Sequence, residues 1–141
     1  MAAMQRHFAR AVVIAAATLL LAGCASQSRD NGLQSAQYAW SAAIRWGDFE
    51  GALNLVDPAW REAHPLTDLE LERYRQVQVS GYRDVGSSVE GDTARRVIEI
   101  GVVNRHTLRA REVRHVEQWR WDADAETWWV ANGLPNLWQE E

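Results

Sequence analysis

Three kinds of residue are scarce or missing in this chain of 141 residues: lysine is absent, cysteine occurs once and proline three times. All strongly basic side chains are therefore arginines, a bias that a GC-rich genome explains without any role in function. One cysteine cannot form a disulfide within the chain, so disulfides do not stabilise the fold. The net charge of −4 provides no basic surface of the kind that nonspecific nucleic-acid binding requires, and we expect no nucleic-acid partner.

The chain also lacks a long hydrophobic run. Ala11 to Leu20 carries no charge. At about 1.5 Å per residue this stretch is too short to cross a bilayer core of about 30 Å. A basic segment with Arg6 and Arg10 precedes it and small residues follow it, which is the pattern of a secretory signal peptide. We therefore predict that residues 1–23 are a signal peptide and form no part of the mature fold.

The single cysteine stands directly after this apolar segment, in the sequence Leu21-Ala22-Gly23-Cys24. These four residues resemble a bacterial lipobox. The resemblance implies cleavage between Gly23 and Cys24, a diacylglycerol on the Cys24 sulfur, and an acyl chain such as palmitate on the new amino terminus. Several acyl chains hold a protein stably on a membrane, whereas one does so only marginally. The alternatives are an incidental thiol or a buried core cysteine, but Cys24 adjoins a polar run rather than a periodic apolar one.

We interpret residues 24–32 as a lipidated polar tether, and residues 33–141 as a single domain. Ala25 stands where lipoproteins kept in the inner membrane often have aspartate. By analogy with enteric lipoprotein sorting, this residue indicates an outer-membrane location facing the periplasm. The membrane, reached through the lipid on Cys24, is therefore the first expected partner.

Helical spacing of apolar residues predicts helices in the first half of the domain. Gly47 is placed to end the first of them, because glycine readily adopts the conformation that follows a helix. Asp48 is placed to cap a second helix, which we expect to stop at Asp57-Pro58. The pattern Thr67-Asp68-Leu69-Glu70 is a capping box and predicts a third.

Four later segments have the alternating or β-branched composition of strands. They are Gln76–Val79, Val97–Val103, Val113–Trp121 and Thr127–Ala131. Helices followed by strands with no helix between them predict an α+β fold. We expect N-terminal helices packed on a curved antiparallel sheet of about four strands.

The order of these elements, with the segment GDFEGAL early and EQWRWDADAETWWVANGLPNLW at the end, resembles the nuclear-transport-factor-2-like, cystatin-like cone superfamily, which includes the SnoaL-like proteins. The resemblance covers residues 33–138. It implies a bent sheet wrapped around a long helix, leaving a conical cavity. Members include isomerase-like enzymes with an acid or base in that cavity, and also binding and accessory domains, several of them on envelope lipoproteins. The fold alone therefore does not decide the function.

Four strand residues are weak candidates for acid or base chemistry in such a cavity: Tyr82, Glu99, His115 and Glu117. Glu99 would be a candidate general base only if its face pointed inward, and the alternation of its strand does not settle which face does. His115 and Glu117 are two residues apart and so share one face. They form either a cavity pair or, as we favour, a pair at the rim beside the tryptophans.

Other recognisable chemistry is missing from the sequence. His64, His106 and His115 lack the spacing of metal ligands, so we expect no metal. There is no glycine-rich phosphate loop and no nucleophile elbow, and Cys24 is assigned to the lipid. We therefore predict no cofactor and no established catalytic residue.

Two features leave a binding role open. Trp128 and Trp129 are adjacent in a strand and point to opposite faces, so one of them either meets a protein partner or second copy, or is covered by Leu134–Trp138 folding back. Arg105, Arg109, Arg111 and Arg114 lie across one hairpin. They would suit anionic lipid, lipopolysaccharide phosphate or an acidic partner, although a solvated hairpin explains them more simply.

The sequence thus favours a small cell-envelope lipoprotein with a non-catalytic accessory or binding domain facing the periplasm. Its expected partners, besides the membrane, are an envelope protein or a second copy of the chain. The first alternative is a cavity enzyme with isomerase-like or hydrolase-like acid/base chemistry. The second is an immunity or inhibitor lipoprotein, which would carry an exposed patch complementary to a toxin.

Overall fold

The computed structural model describes residues 26–138. The predicted signal peptide and the lipidation site at Cys24 lie outside these residues. The chain divides into two compact units, one that ends at Gln34 and one that begins at Ser35. Residues 26–34 are helical, including the part of the predicted tether that the structure describes. Within residues 26–138, no helix combines the length and the hydropathy needed to span a bilayer.

The second unit begins with four helices. They are α1 (residues 35–46), α2 (Phe49–Leu53), α3 (Pro58–Ala63) and α4 (Asp68–Arg75). Gly47 follows α1 with φ +71°, the left-handed conformation predicted for the residue that ends this helix. The side chain of Asp48 accepts a hydrogen bond from the Gly51 N–H and so caps α2. Thr67 and Glu70 form the predicted capping box of α4.

The prediction that the second helix extends to Asp57-Pro58 is wrong. Helix α2 ends at Leu53, and the Asp-Pro pair opens the separate helix α3. The Asp57 side chain accepts a hydrogen bond from the Ala59 N–H, and Pro58 occupies the first turn, where its missing N–H costs nothing. The two residues that we expected to end the second helix therefore begin the third.

Four antiparallel strands follow, in the sheet order β1-β2-β3-β4. Their bounds are Val77–Glu90, Thr93–Asn104, Ala110–Asp122 and Thr127–Val130. The predicted α+β fold with a four-stranded antiparallel sheet is confirmed. Strand β1 is much longer than the predicted segment, and its register shifts between Val79 and Gly81 and again between Asp84 and Gly86. Such bulges break the two-residue alternation on which the prediction relied.

The helices cover one face of this sheet, which we call the inner face. It carries Ile98 and Ile100 of β2 and Val113 and Trp119 of β3, all buried. Trp40 of α1 is also fully buried, and its ring meets the Trp119 ring edge-on at 6.2 Å between centroids. The opposite, outer face carries the alternate residues of the same strands.

The segment after β4 folds back on the domain. The Tyr74 hydroxyl of α4 donates a hydrogen bond to the Pro135 carbonyl at 2.9 Å, and the Arg111 Nε of β3 donates one to the Leu137 carbonyl at 3.0 Å. Leu137 is completely buried as a result. Burial also raises the pKa of Tyr74 to about 12, so its hydroxyl remains a donor at neutral pH.

Gly133, at the start of this segment, offers a test of the packing. Its φ is +75°, and a Cβ placed there would lie 2.2 Å from Cη2 of Trp60. We expect Gly133→Ala to lower the free energy of unfolding by about 3 kcal/mol, through overpacking and left-handed strain. The measurement is urea denaturation monitored by circular dichroism.

Gly86→Ala is the matched control, because a Cβ at Gly86 meets no atom within 4 Å. Its free energy of unfolding should stay within about 1 kcal/mol of the wild-type value. Equal effects of the two substitutions would contradict the described packing of Trp60 on Gly133.

Candidate functional site

The most unusual group in the interior is the side chain of Glu117, which is 0% exposed. Strand alternation places it on the inner face of β3, directly opposite Arg96 of β2. A carboxylate removed from water is costly unless a counter-charge and hydrogen-bond donors replace the solvent. The surroundings of Glu117 supply both.

Four side chains donate hydrogen bonds to the two carboxylate oxygens. Oε1 accepts from the Trp40 indole at 3.0 Å and from the Tyr82 hydroxyl. Oε2 accepts from the Trp119 indole at 3.0 Å and from the Arg96 Nε at 2.8 Å. We call these five residues the Glu117 network. Its donors come from α1, β1, β2 and β3, so the network joins one helix to three strands.

Tyr82 is held from several directions within the network. Its hydroxyl accepts a hydrogen bond from the Arg96 Nη2 at 3.0 Å while it donates to Glu117. Burial raises the pKa of Tyr82 far above its ordinary value, and the neighbouring Glu117 carboxylate raises it further. The hydroxyl is therefore protonated at any physiological pH. Arg45 of α1 fixes the backbone as well, by donating to the Tyr82 carbonyl at 3.1 Å.

This geometry works against acid/base catalysis by Glu117. A general base must come within hydrogen-bond distance of a substrate proton. The Glu117 carboxylate has no exposed atom, and each oxygen already accepts two hydrogen bonds. As arranged, the network neutralises a buried charge and fixes the positions of α1 and three strands.

The other two sequence candidates do not join the network. Glu99 lies on the outer face, where it forms ion pairs with Arg83 and, at 3.8 Å, with Arg114. His115 shares the inner face with Glu117, as predicted, but its buried Nε2 has no hydrogen-bond partner among the described residues. Burial lowers the pKa of His115 to about 4, so its ring is neutral at pH 7. The structure thus brings Tyr82 and Glu117 together and leaves Glu99 and His115 apart from them.

The sequence did not indicate that Arg96, Trp40 or Trp119 belongs to a site. Arg96 stands beside Arg95 at the start of an apolar strand, and only the alternation of that strand distinguishes the buried arginine from the exposed one. The two tryptophans fit a helix face and a strand face, which indicate core positions but not hydrogen bonds to a carboxylate.

An ion pair between Asp57 and Arg120 connects the start of α3 to the sheet near β4. Arg120 of β3 donates from Nε to Asp57 at 2.8 Å, and this hydrogen bond lowers the pKa of Asp57. The Asp57 N–H donates to the Val130 carbonyl at 2.8 Å, and the Val130 N–H donates to the Leu55 carbonyl at 2.9 Å. These groups explain the position of α3 without any functional role.

The arginines of the β2–β3 hairpin are mostly engaged within the domain. Arg105 donates from Nε to the Val77 carbonyl at 3.3 Å, Arg111 bonds to Leu137, and Arg114 pairs with Glu99. Arg109 is exposed. Three of the four candidate anion-binding residues therefore have structural partners, which favours the solvated hairpin over a dedicated anion site.

Metal ligands do not gather in the part of the chain that the structure describes. Among residues 26–138, no three or more histidine, cysteine, aspartate or glutamate side chains come together in a group that could hold a metal ion. His64 instead stacks on Trp60, with 4.3 Å between ring centroids.

Comparisons with known proteins support the fold. No family model and no curated protein matches the chain. The solution structure of RPA3114, a SEC-C motif containing protein from Rhodopseudomonas palustris, is similar with a TM-score of 0.54 and 18% sequence identity. The likeness covers 68% of this chain and 72% of that one. At this identity it shows a shared fold and carries no functional residue from one protein to the other.

The Glu117 network predicts a specific stability effect. We expect Glu117→Gln to lower the free energy of unfolding by about 3–5 kcal/mol, because it removes the nearest counter-charge of the buried Arg96 and leaves only Asp84, at 3.8 Å. Urea denaturation of the purified variant measures this loss.

Glu99→Gln is the matched control, since it removes two ion pairs whose arginines are largely exposed on the outer face. It should change the free energy of unfolding by at most about 1 kcal/mol. A Glu117→Gln variant no less stable than Glu99→Gln would show that the network does not hold the domain together.

Proposed function

We propose that this protein is a lipid-anchored protein of the cell envelope whose domain is a non-catalytic binding or accessory module. The non-catalytic part of the proposal rests on one observation: Glu117 is completely buried, and its carboxylate accepts hydrogen bonds from four side chains. The Glu117 carboxylate instead connects α1 to three strands. An enzyme with its active site in the cavity would need an acid or base that a substrate can reach. The order of helices and strands suits a cone domain of the nuclear-transport-factor-2-like kind.

The outer face of the sheet supports the binding part of the proposal. Because the helices lie on the inner face, charged and polar side chains such as Glu112, Arg114 and Gln118 are exposed on the outer face. Beside them Val116 and Trp129 are only half-buried. A surface that mixes a charged rim with apolar groups suits a protein partner, either an envelope protein or a second copy of this chain.

The anchoring part of the proposal rests on the lipobox-like sequence at Cys24. The lipid would place the domain on the membrane, most consistently on the periplasmic side of the outer membrane, where Ala25 agrees with that sorting. A partner of the domain would then be found among proteins or polymers near this surface.

Replacing Cys24 tests the anchor. We expect the wild-type protein to incorporate an alkyne analogue of palmitate in its bacterial host and to remain with the membrane fraction after a high-salt wash. Cys24→Ser should lose the label and move to the soluble fraction, because acyl chains supply the membrane affinity. A Cys24→Ser variant that still fractionates with membranes would contradict lipid anchoring.

Site-specific photo-crosslinking in intact cells tests the binding role. A photoreactive amino acid at Glu112 or Gln118 on the outer face should yield the same dominant adduct, identified by mass spectrometry. The matched control places it at Leu69, which is exposed on α4. An adduct of twice the protein mass identifies a second copy, and any other adduct names an envelope partner.

Two outcomes would contradict a binding role for the outer face. One is the absence of any adduct from Glu112 and Gln118 under several growth conditions. The other is an adduct that forms equally well from Leu69, since this would reflect proximity in the envelope rather than contact through the outer face.

A further inference from the structure

A cavity of about 400 Å³ opens on the outer face, near the turn between β1 and β2. Nine residues line it: Ala94 and Trp119 belong to the inner face, Ala131 follows β4, and the other six have their side chains on the outer face. These six are Ser88, Glu90, Thr93, Arg95, Gln118 and Arg120. We call this cavity the outer groove. Its volume lies within the range of small-molecule sites, so it is large enough for a ligand of a few residues.

The register of the sheet explains how these side chains come together. Ser88 lies opposite Arg95, which lies opposite Gln118, so these three form one row across β1, β2 and β3. Glu90, Thr93 and Arg120 form the neighbouring row in the same way. Residues directly opposite each other in antiparallel strands point to the same face. The short side chains of Ser88 and Thr93 leave the space between the longer ones unfilled.

The charges in the outer groove are not balanced by internal pairing. The guanidinium of Arg95 and the carboxylate of Glu90 are exposed, and neither has a hydrogen bond or ion pair among the described residues. Arg120 differs, because Asp57 and Asp122 both pair with it. The groove therefore presents one free cation and one free anion, with the hydroxyl of Ser88 and the amide of Gln118 beside Arg95.

The spacing of these two residues on the sheet indicates the size of a matching ligand. Glu90 and Arg95 are diagonal neighbours on adjacent strands, a relation that places the backbone positions about 7–8 Å apart. A dipeptide in an extended conformation spans about 7 Å, at about 3.6 Å per residue. Its two termini carry opposite charges at neutral pH, so one molecule can meet both free groups at once.

We propose that the outer groove binds a small zwitterionic ligand of dipeptide size. Its carboxylate binds the Arg95 guanidinium, which presents paired N–H donors in the geometry of a carboxylate, and Gln118 and Ser88 add hydrogen bonds. Its ammonium group binds the Glu90 carboxylate. The inference rests on the proposed binding function and names a ligand class for it, but it does not require the lipid anchor.

The test is a titration of the ¹⁵N-labelled full chain, purified in detergent, with the dipeptide alanyl-alanine at low salt. We expect saturable shifts of the backbone amides of Thr93 and Gln118. N-acetyl-alanyl-alanine lacks the ammonium group and alanyl-alanine amide lacks the carboxylate. Each should bind at least about tenfold more weakly, because each leaves one charged group of the groove unpaired.

Substitutions test whether Arg95 and Glu90 bind the dipeptide. Arg95→Gln and Glu90→Gln should each weaken binding of the dipeptide at least about tenfold. The matched control is Arg109→Gln, which removes an exposed arginine in the turn between β2 and β3 and should leave binding unchanged. The blocked dipeptides act on the unaltered chain, so the test does not depend on whether a variant folds.

Three outcomes would overturn the proposal. They are the absence of saturable shifts up to about 10 mM dipeptide, blocked dipeptides that bind as well as the free one, and a loss from Arg109→Gln equal to that from Arg95→Gln. A partner crosslinked in cells together with no dipeptide binding overturns the groove proposal alone. Dipeptide binding by a chain that does not fractionate with membranes supports the groove and overturns the anchor.

Discussion

A carboxylate that is taken completely out of water is stable only if protein groups replace the water it has lost. Glu117 is in this position, and the replacement comes from Trp40, Tyr82, Arg96 and Trp119. These donors belong to one helix and three strands that are distant in sequence. The hydrogen bonds are directional, so they fix the position of α1 over the sheet more narrowly than apolar packing alone would. The arrangement of the inner face therefore follows from satisfying one buried charge.

The same constraint shapes what the domain is able to do. Because four donors surround Glu117, its buried carboxylate is not accessible as an acid or base. The second ion pair, between Asp57 and Arg120, likewise serves to attach a helix to the sheet. Unpaired charges are found instead on the outer face, where Arg95 and Glu90 line an open groove. The charged groups of the inner face are buried and stabilise the fold, whereas Arg95 and Glu90 on the outer face are exposed and unpaired. This difference is the basis of the proposed binding role.

Local features of this fold were predictable from the sequence, and features that depend on strand register were not. The ends of the helices at Gly47, Asp48 and Thr67 followed from residue types acting on their immediate neighbours. The extent of β1 did not, since two bulges interrupt its alternation. Tyr82 and Glu117 were named as separate candidates, but their contact depends on the pairing of three strands. The burial of Arg96 was also hidden, because its neighbour Arg95 is chemically identical and faces the other way.

The most direct test of this account is hydrogen exchange at the tryptophan indole groups, followed by NMR in D₂O. The indole N–H groups of Trp40 and Trp119 both donate to Glu117, whereas Trp46 is 87% exposed and serves as an internal reference. We predict that Trp40 and Trp119 exchange only when the whole domain unfolds, with a free energy of opening equal to that of global unfolding. Exchange of either indole as fast as that of Trp46 would show that the carboxylate is not sealed and would contradict the central claim.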